Sequence, residues 1–234
     1  RYYYNFTGNI FKQRDRIFSS IYETKYKYNV DGEIDEITYP GGIVVKYLFN
    51  SRGKASSINA TLPKLIQNGG SQQTINLIEN VSYKPFGPIE KISYGNGAVV
   101  DYIWDMDYRI DQFKVANNSG SPLIDWDYEY DLFNNITDVK DKLNISYYFS
   151  YRYDLLGRLD YEENASPFSG VLASADYDYD SNGNRQSVTQ LLFGQLLSHT
   201  TTYDPSSNKI ASHGGDSSEA ATLYDEVGNI AIRT

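Results

Sequence analysis

The sequence predicts an all-β fold: an array of about ten stacked β-hairpins forming a curved sheet strip, a partial β-shell or β-solenoid. Three observations predict it. Tyrosine dominates, with 23 Tyr in 234 residues against one Met and two Trp, and tyrosine, threonine and isoleucine suit half-buried strands. No long stretch shows helical periodicity. A short turn signal also recurs every 21 to 34 residues, and a period in this range marks a repeat array.

The signal is an aromatic residue, then Asp or Asn, with Gly three residues further on. In chain order the copies are Tyr4-Asn5…Gly8, Tyr28-Asn29…Gly32, Phe49-Asn50…Gly53, Tyr83-Lys84…Gly87 and Trp104-Asp105…Tyr108. They continue with Tyr130-Asp131…Asn134, Tyr153-Asp154…Gly157, Tyr179-Asp180…Gly183, Tyr203-Asp204…Ser207 and Tyr224-Asp225…Gly228. Asp or Asn at the first turn position accepts backbone N–H groups through its side chain, and Gly adopts positive φ at no steric cost. A type I turn followed by a left-handed residue is a common hairpin loop. Asn134 keeps this logic, because Asn tolerates the left-handed region. Tyr108 breaks it, so that turn is expected to differ. The structural residues singled out are Tyr28 and Gly32, and the Tyr, Asp and Gly of the copies at 153–157, 179–183 and 224–228.

The flanks read as strands. An aromatic stands two residues before the signal at Tyr2, Tyr26, Tyr47, Tyr102, Tyr128, Tyr151 and Tyr177, which puts both rings on one strand face. After the turn, Ile34 and Ile37, Ile89 and Ile92, Ile110 and Phe113, and Ile136 and Val139 recur at matched offsets. Residues 39–47 (YPGGIVVKY) and 94–102 (YGNGAVVDY) repeat at a shift of 55 residues and predict tight turns linking one hairpin to the next. Three stretches interrupt the array, 59–80, 164–175 and 211–221, and are expected to be loops off one sheet edge. Residues 1–234 therefore read as one repeat strip. The pattern is already running at Arg1 and still running at Thr234, so a piece of a longer chain is expected.

Composition narrows the function. The net charge of −9 opposes nucleic-acid binding, which rests on basic patches, and opposes an anionic membrane surface. The absence of cysteine excludes disulfides and thiolate metal sites and fits an exported or a cytosolic chain. No apolar run approaches the roughly 20 residues of a membrane helix.

The pattern resembles the Rhs/YD-repeat family. The residues that carry the resemblance are YDLLGRL at 153–159, YDSNGNR at 179–185, YDEVGNI at 224–230, and the YPGG and YGNG turns. The family includes bacterial Rhs proteins, the B and C components of Tc toxin complexes, and animal teneurins. The resemblance implies a long β-strip that spirals into a hollow shell, enclosing a toxin polypeptide in bacterial members and serving adhesion in teneurins. It also implies a secreted or cell-surface location, and further repeats of the same parent chain as partners. The autoproteolytic segment of full-length bacterial members is not matched. Asp204-Pro205 is followed by Ser206-Ser207 inside an ordinary repeat, so autoproteolysis is carried over to no residue.

Chemistry-bearing residues are thinly spread. His199 and His213 are the two histidines, lie in loop-like sequence, and are read as surface groups. Carboxylates run in three sets: Asp101, Asp105 and Asp107, then Asp125, Asp127 and Glu129, then Asp176, Asp178 and Asp180. Alternating carboxylates on one strand face can bind Ca²⁺ or do acid/base work. The plainer reading, a solvated face with the repeat Asp capping its turn, is preferred. Tyrosine rows can stack on sugar rings, but cross-strand aromatic pairs that hold the sheet are the preferred reading. Asn-x-Ser/Thr triplets at Asn5, Asn59, Asn80, Asn117, Asn135, Asn144 and Asn164 are treated mostly as coincidence. No catalytic residue, cofactor or metal is expected. The function read from the sequence is a shell segment enclosing a cargo such as a toxin domain. The alternative is an extracellular adhesion or carbohydrate-binding module using the Tyr-rich face. An enzyme on a β-solenoid is a third reading, and it lacks the required cluster at one spot.

Overall fold

The computed structural model describes residues 1–63, 72–192, 194–215, 218–224 and 230–233, with side chains described up to residue 215. Each of the ten predicted signals joins two strands. The hairpins are β1 (Tyr2–Tyr4) with β2 (Ile10–Ile17), β3 (Ser20–Tyr28) with β4 (Ile34–Thr38), and β5 (Val44–Phe49) with β6 (Ala55–Leu62). Next come β7 (Gln73–Tyr83) with β8 (Ile89–Tyr94) and β9 (Val99–Trp104) with β10 (Ile110–Ala116). The series goes on with β11 (Pro122–Tyr130) and β12 (Ile136–Asp141), β13 (Tyr148–Tyr153) and β14 (Leu159–Ser166), and β15 (Gly170–Tyr179) and β16 (Arg185–Leu192). It closes with β17 (Gln195–Tyr203) and β18 (Ile210–Gly215), then β19 (Ser218–Tyr224) and β20 (Ile230–Arg233).

The contacts divide the chain into two compact units, Arg1–Asp125 and Trp126–Thr234. The division falls within β11. In the first unit β1 to β10 form an antiparallel meander, each strand pairing with the next. In the second, β11 to β20 do the same.

A β-bulge stands beside the repeat aromatic in all ten hairpins. It resolves a puzzle in the pattern, since two residues three apart on a regular strand point to opposite faces. With one extra residue between them, Ile34 pairs with Tyr28 and Ile37 with Tyr26. In the same way Ile89 pairs with Tyr83 and Ile92 with Val81. Both members of each Ile pair therefore share the aromatic face.

The three predicted loops are corrected. Residues 59–62 and 73–80 belong to β6 and β7, 164–166 and 170–175 to β14 and β15, and 211–215 and 218–221 to β18 and β19. The added length extends ladders instead of leaving the sheet, because the polar residues alternate along paired strands. Gly69-Gly70 lies outside the described residues.

Each unit is a single layer of sheet. Only Val45, Ala60, Val100, Ala165, Ala175, Val188 and Ser166 are buried among the described residues, and no large side chain is fully buried. Most of these lie on the aromatic face, covered in the plane of the sheet by their own neighbours.

Candidate functional site

The repeat turn is built by its Asp or Asn. Asp154 Oδ1 accepts the N–H groups of Leu156 at 2.8 Å and Arg158 at 2.9 Å. The backbone closes the loop through Gly157 N–H to Asp154 O at 2.9 Å and Asp154 N–H to Arg158 O at 2.8 Å. The same side-chain pair of bonds recurs at Asn5, Asn29, Asn50, Asp105, Asp131 and Asp180. Gly32, Gly157 and Gly183 take φ of 84°, 75° and 88°, as the pattern requires. Asp225 and Gly228 lie outside the described residues, and β19 ends at Tyr224.

Two turn expectations are corrected. The turn at Tyr108 does not differ: Tyr108 adopts φ of 60° and closes the same loop, donating to Asp105 O at 3.2 Å. Asp105 over-determines it, taking backbone N–H groups from Asp107 and Arg109 and the Arg109 guanidinium at 2.7 Å. At Asp204 the turn is one residue longer. Asn208, not Ser207, is left-handed at φ of 58°, and Asp204 N–H reaches Lys209 O. An unpredicted copy closes the far end between β10 and β11, where Asn117 Oδ1 accepts from Ser119 and Ser121 and Gly120 has φ of 78°. The linking turns at Tyr39–Ile43 and Tyr94–Ala98 close by the same backbone bonds.

The repeat aromatic has a second task that spacing alone did not reveal. Its polar tip donates to the first strand carbonyl after the previous turn. Tyr28 Oη reaches Ile10 O at 2.6 Å, Tyr83 reaches Ala55 O at 2.7 Å, and Trp104 Nε1 reaches Ile89 O at 2.9 Å. In the second unit Tyr153 reaches Ile136 O at 2.8 Å, Tyr179 reaches Leu159 O at 2.7 Å, and Tyr203 reaches Arg185 O at 3.0 Å. In each case the acceptor follows the preceding aromatic by six residues. The residue after the turn Gly adds a cation: Lys54 Nζ donates to Gly87 O at 2.7 Å, and the Arg158 guanidinium lies 4.6 Å from the Tyr179 ring centre.

The two faces differ in chemistry. In the second unit, Trp126, Tyr128, Val139, Phe149, Tyr151 and Leu159 border an open apolar groove of about 450 Å³. Burial holds the hydroxyls of Tyr128, Tyr151 and Tyr153 above the ordinary tyrosine range. Tyr177 is pushed up to about 12 by burial and by its bond to Glu162. The opposite face carries ion pairs: in the first unit Lys27–Glu36 at 2.7 Å and Lys91–Asp101 at 3.3 Å, in the second Lys142–Asp127 at 2.5 Å and Lys140 with Glu129. The carboxylate runs divide: Asp101, Asp125, Asp127 and Glu129 pair with lysines, Asp105 and Asp180 cap turns, and Asp178 accepts from Ser187. No cluster of three metal-ligating side chains occurs among the described residues. The turn carboxyls of Asp105 and Asp154 are held low chiefly by backbone N–H groups, and those of Asp180 and Asp204 chiefly by the side chains of Asn184 and Ser206.

The histidines are not in loops. His199 lies on β17 and His213 on β18, their rings 6.2 Å apart and nearly parallel, with Thr201 Oγ1 2.9 Å from His213 Nδ1.

No family model and no curated protein matches the chain. Solved structures do. The TcdB2–TccC3 complex superposes with a TM-score of 0.75 at 15% identity, over 97% of this chain and 14% of that one. The same complex without its hypervariable C-terminal region gives 0.74 over the same shares. A Tc holotoxin pore of Photorhabdus luminescens gives 0.64 at 14% identity, over 91% of this chain and 13% of that one. The likeness is one of fold. The chain spans about one seventh of the Tc chains it matches, and the resemblance read from the repeats is supported at the level of architecture.

Proposed function

We propose that the chain is a wall segment of a YD-repeat shell in a large secreted or surface-delivered protein, and that its work is containment of a polypeptide, not catalysis. The observation that carries this reading is the single-layer meander with one uncovered aromatic face and one ion-paired face. Such a sheet is suited to separate an enclosed apolar-tolerant space from solvent. The fold shared with TcdB2–TccC3 supports it. So do the turn tips, where Phe6, Val30 and Met106 in the first unit and Leu132 and Leu155 in the second are fully exposed, as suits an edge covered in a larger protein. The hydroxyls of Tyr28, Tyr83, Tyr153, Tyr179 and Tyr203 are spent on neighbouring hairpins, which favours cohesion over sugar stacking.

Hydroxyl-radical footprinting of the parent polypeptide tests the reading. The rings of Tyr128 and Tyr151 are expected to be protected in the parent and labelled in the isolated 234-residue chain. Equal labelling in both overturns containment, and protection produced only by added glycan would move adhesion to first place.

A further inference from the structure

One polar depression interrupts the aromatic face of the second unit. Its floor is Ala173 and Ala175 on β15, small residues set between larger ones. On one side Ala175 pairs with Glu162 and Ala173 with Asn164, and on the other with Gln190 and Leu192. One strand further, Tyr151 pairs with Glu162 and Phe149 with Asn164. All eight side chains share one face, and the pit they border has a volume of about 250 Å³. That is below the roughly 300–1,000 Å³ of sites for drug-sized ligands and suits one side chain.

The polar groups of the pit are the Glu162 carboxylate and the amides of Asn164 and Gln190, and Glu162 is the one charged group among the eight. Glu162 Oε1 takes the Tyr177 hydroxyl at 2.6 Å, while no hydrogen bond or ion pair reaches its other oxygen among the described residues. Asn164 Oδ1 is buried and has no partner, and a buried polar atom in that state calls for a donor. Tyr151 and Phe149 supply aromatic rings beside this negative charge. Arg185 is held over the Tyr177 ring at 5.6 Å, and no ion pair joins it to Glu162 among the described residues. The strip seats guanidinium groups on tyrosine rings elsewhere too, Arg158 on Tyr179 at 4.6 Å and Arg152 on Tyr161 at 4.3 Å.

We propose that this pit is a binding site for a guanidinium group, the side chain of an arginine on a polypeptide lying along the aromatic face. The proposal rests on the containment reading, which supplies that polypeptide. A planar guanidinium carries five donors in a fixed fork and stacks on aromatic rings. It therefore serves the open oxygen of the Glu162 carboxylate while lying against Tyr151, and Asn164 Oδ1, which is covered, joins once its side chain turns into the pit. An ammonium is a compact, strongly hydrated point charge that gains less from a flat wall.

The test is an NMR titration of the isolated 234-residue chain with the blocked peptide Gly-Ser-Arg-Ser-Gly and its lysine counterpart. The arginine peptide is expected to give saturable shifts confined to the paired segments of β13 to β16, and the lysine peptide weaker ones. Glu162→Gln is expected to weaken binding about tenfold, since a charge-assisted pair becomes neutral. Ala175→Leu fills the pit and is expected to abolish binding with Glu162 in place, and amide spectra confirm that each variant is folded. No shifts at the pit, undiminished binding by Glu162→Gln, or lysine binding as tightly as arginine would each overturn the proposal. The titration needs no closed shell, so its failure leaves the footprinting result standing, and the reverse also holds.

Discussion

Replacing Gly157 by alanine isolates the backbone requirement of the repeat turn. Gly157 has φ of 75°, and a Cβ built there meets no atom within 4 Å. Packing therefore adds nothing to the cost. An L-residue held in the left-handed region costs roughly 1–2 kcal/mol. Alanine returns roughly 0.4–1 kcal/mol by stiffening the unfolded chain, which leaves a net loss of about 1 kcal/mol. Valine is expected to lose more, because branching at Cβ resists positive φ. Asparagine is expected to lose less, as Asn134 holds the equivalent place at φ of 68°. Urea unfolding followed by far-UV circular dichroism reads the change. With a slope of roughly 1–3 kcal/mol per molar, the alanine midpoint falls by about 0.5 M. Repeat arrays can unfold piecewise, so amide exchange at Leu156 and Arg158, whose N–H groups bond Asp154, gives the same loss locally. Alanine and valine variants that unfold with wild type, with unchanged exchange, would refute the turn assignment.

Tyr179→Phe removes the bond to Leu159 O and is expected to cost about 1 kcal/mol in urea unfolding while leaving the fold intact, because Phe49 stands in the same repeat position; no loss would mean that water replaces the hydroxyl. Tyr108→Asn relieves a left-handed tyrosine and is expected to raise stability by about 0.5–1 kcal/mol in the same assay, and a destabilised variant would count against strain at φ of 60°. Gly95→Ala places a Cβ 1.7 Å from Asn76 O, a backbone clash that no rotamer relieves, so the loss is expected to exceed about 2 kcal/mol and amide exchange to rise across β7 and β8. The turn carboxyls of Asp105, Asp154, Asp180 and Asp204 have folded pKa values below their unfolded ones; their contribution is present above about pH 4 and is lost as pH falls through the folded values. Midpoints measured from neutral pH into strong acid are therefore expected to fall below about pH 4, with a shallower fall for Asp180→Asn, and a rise on acidification would contradict the sign.

Spacing made the hairpins legible. Tyr153-Asp154…Gly157 states its own turn, because a side-chain acceptor and a positive φ at fixed offset have few other uses. The spacing of three between Ile34 and Ile37 was visible too, but its meaning needed the bulge, a register fact written in two strands at once. Ladder length was not legible. Residues 164–175 carry Pro, Gly and Ser, yet the break between β14 and β15 is only the short turn that holds Pro167 and Phe168, since alternation with a neighbour decides strand membership more than composition does. The Tyr108 turn misled for a related reason: a local rule was outvoted by three hydrogen bonds to Asp105. The pit was not legible at all. Glu162, Asn164, Ala175 and Gln190 come from three strands, and nothing in their local sequence marks them as neighbours.

A single-layer sheet with so little burial must be held together mainly by what passes between adjacent hairpins. The described repeats contribute self-closing turns, and six of them also give one donor on an aromatic stem to a fixed carbonyl of the hairpin before. The requirement falls on reach and on a polar tip, not on one residue type. Tryptophan meets it through Nε1 at Trp104, phenylalanine at 49 forgoes the donor and keeps the packing, and Lys84 forgoes the side-chain cap while the backbone still closes. Because such losses are local and shared among ten hairpins, the sequence can drift far while the offsets stay fixed. The fold shared with a Tc complex, across 97% of this chain at 15% identity, is a likeness of the strip and not of its residues. The strip is encoded as an interval, and the residues that depart from the interval's plain needs, such as Glu162 among tyrosines, are where a particular ligand is to be sought.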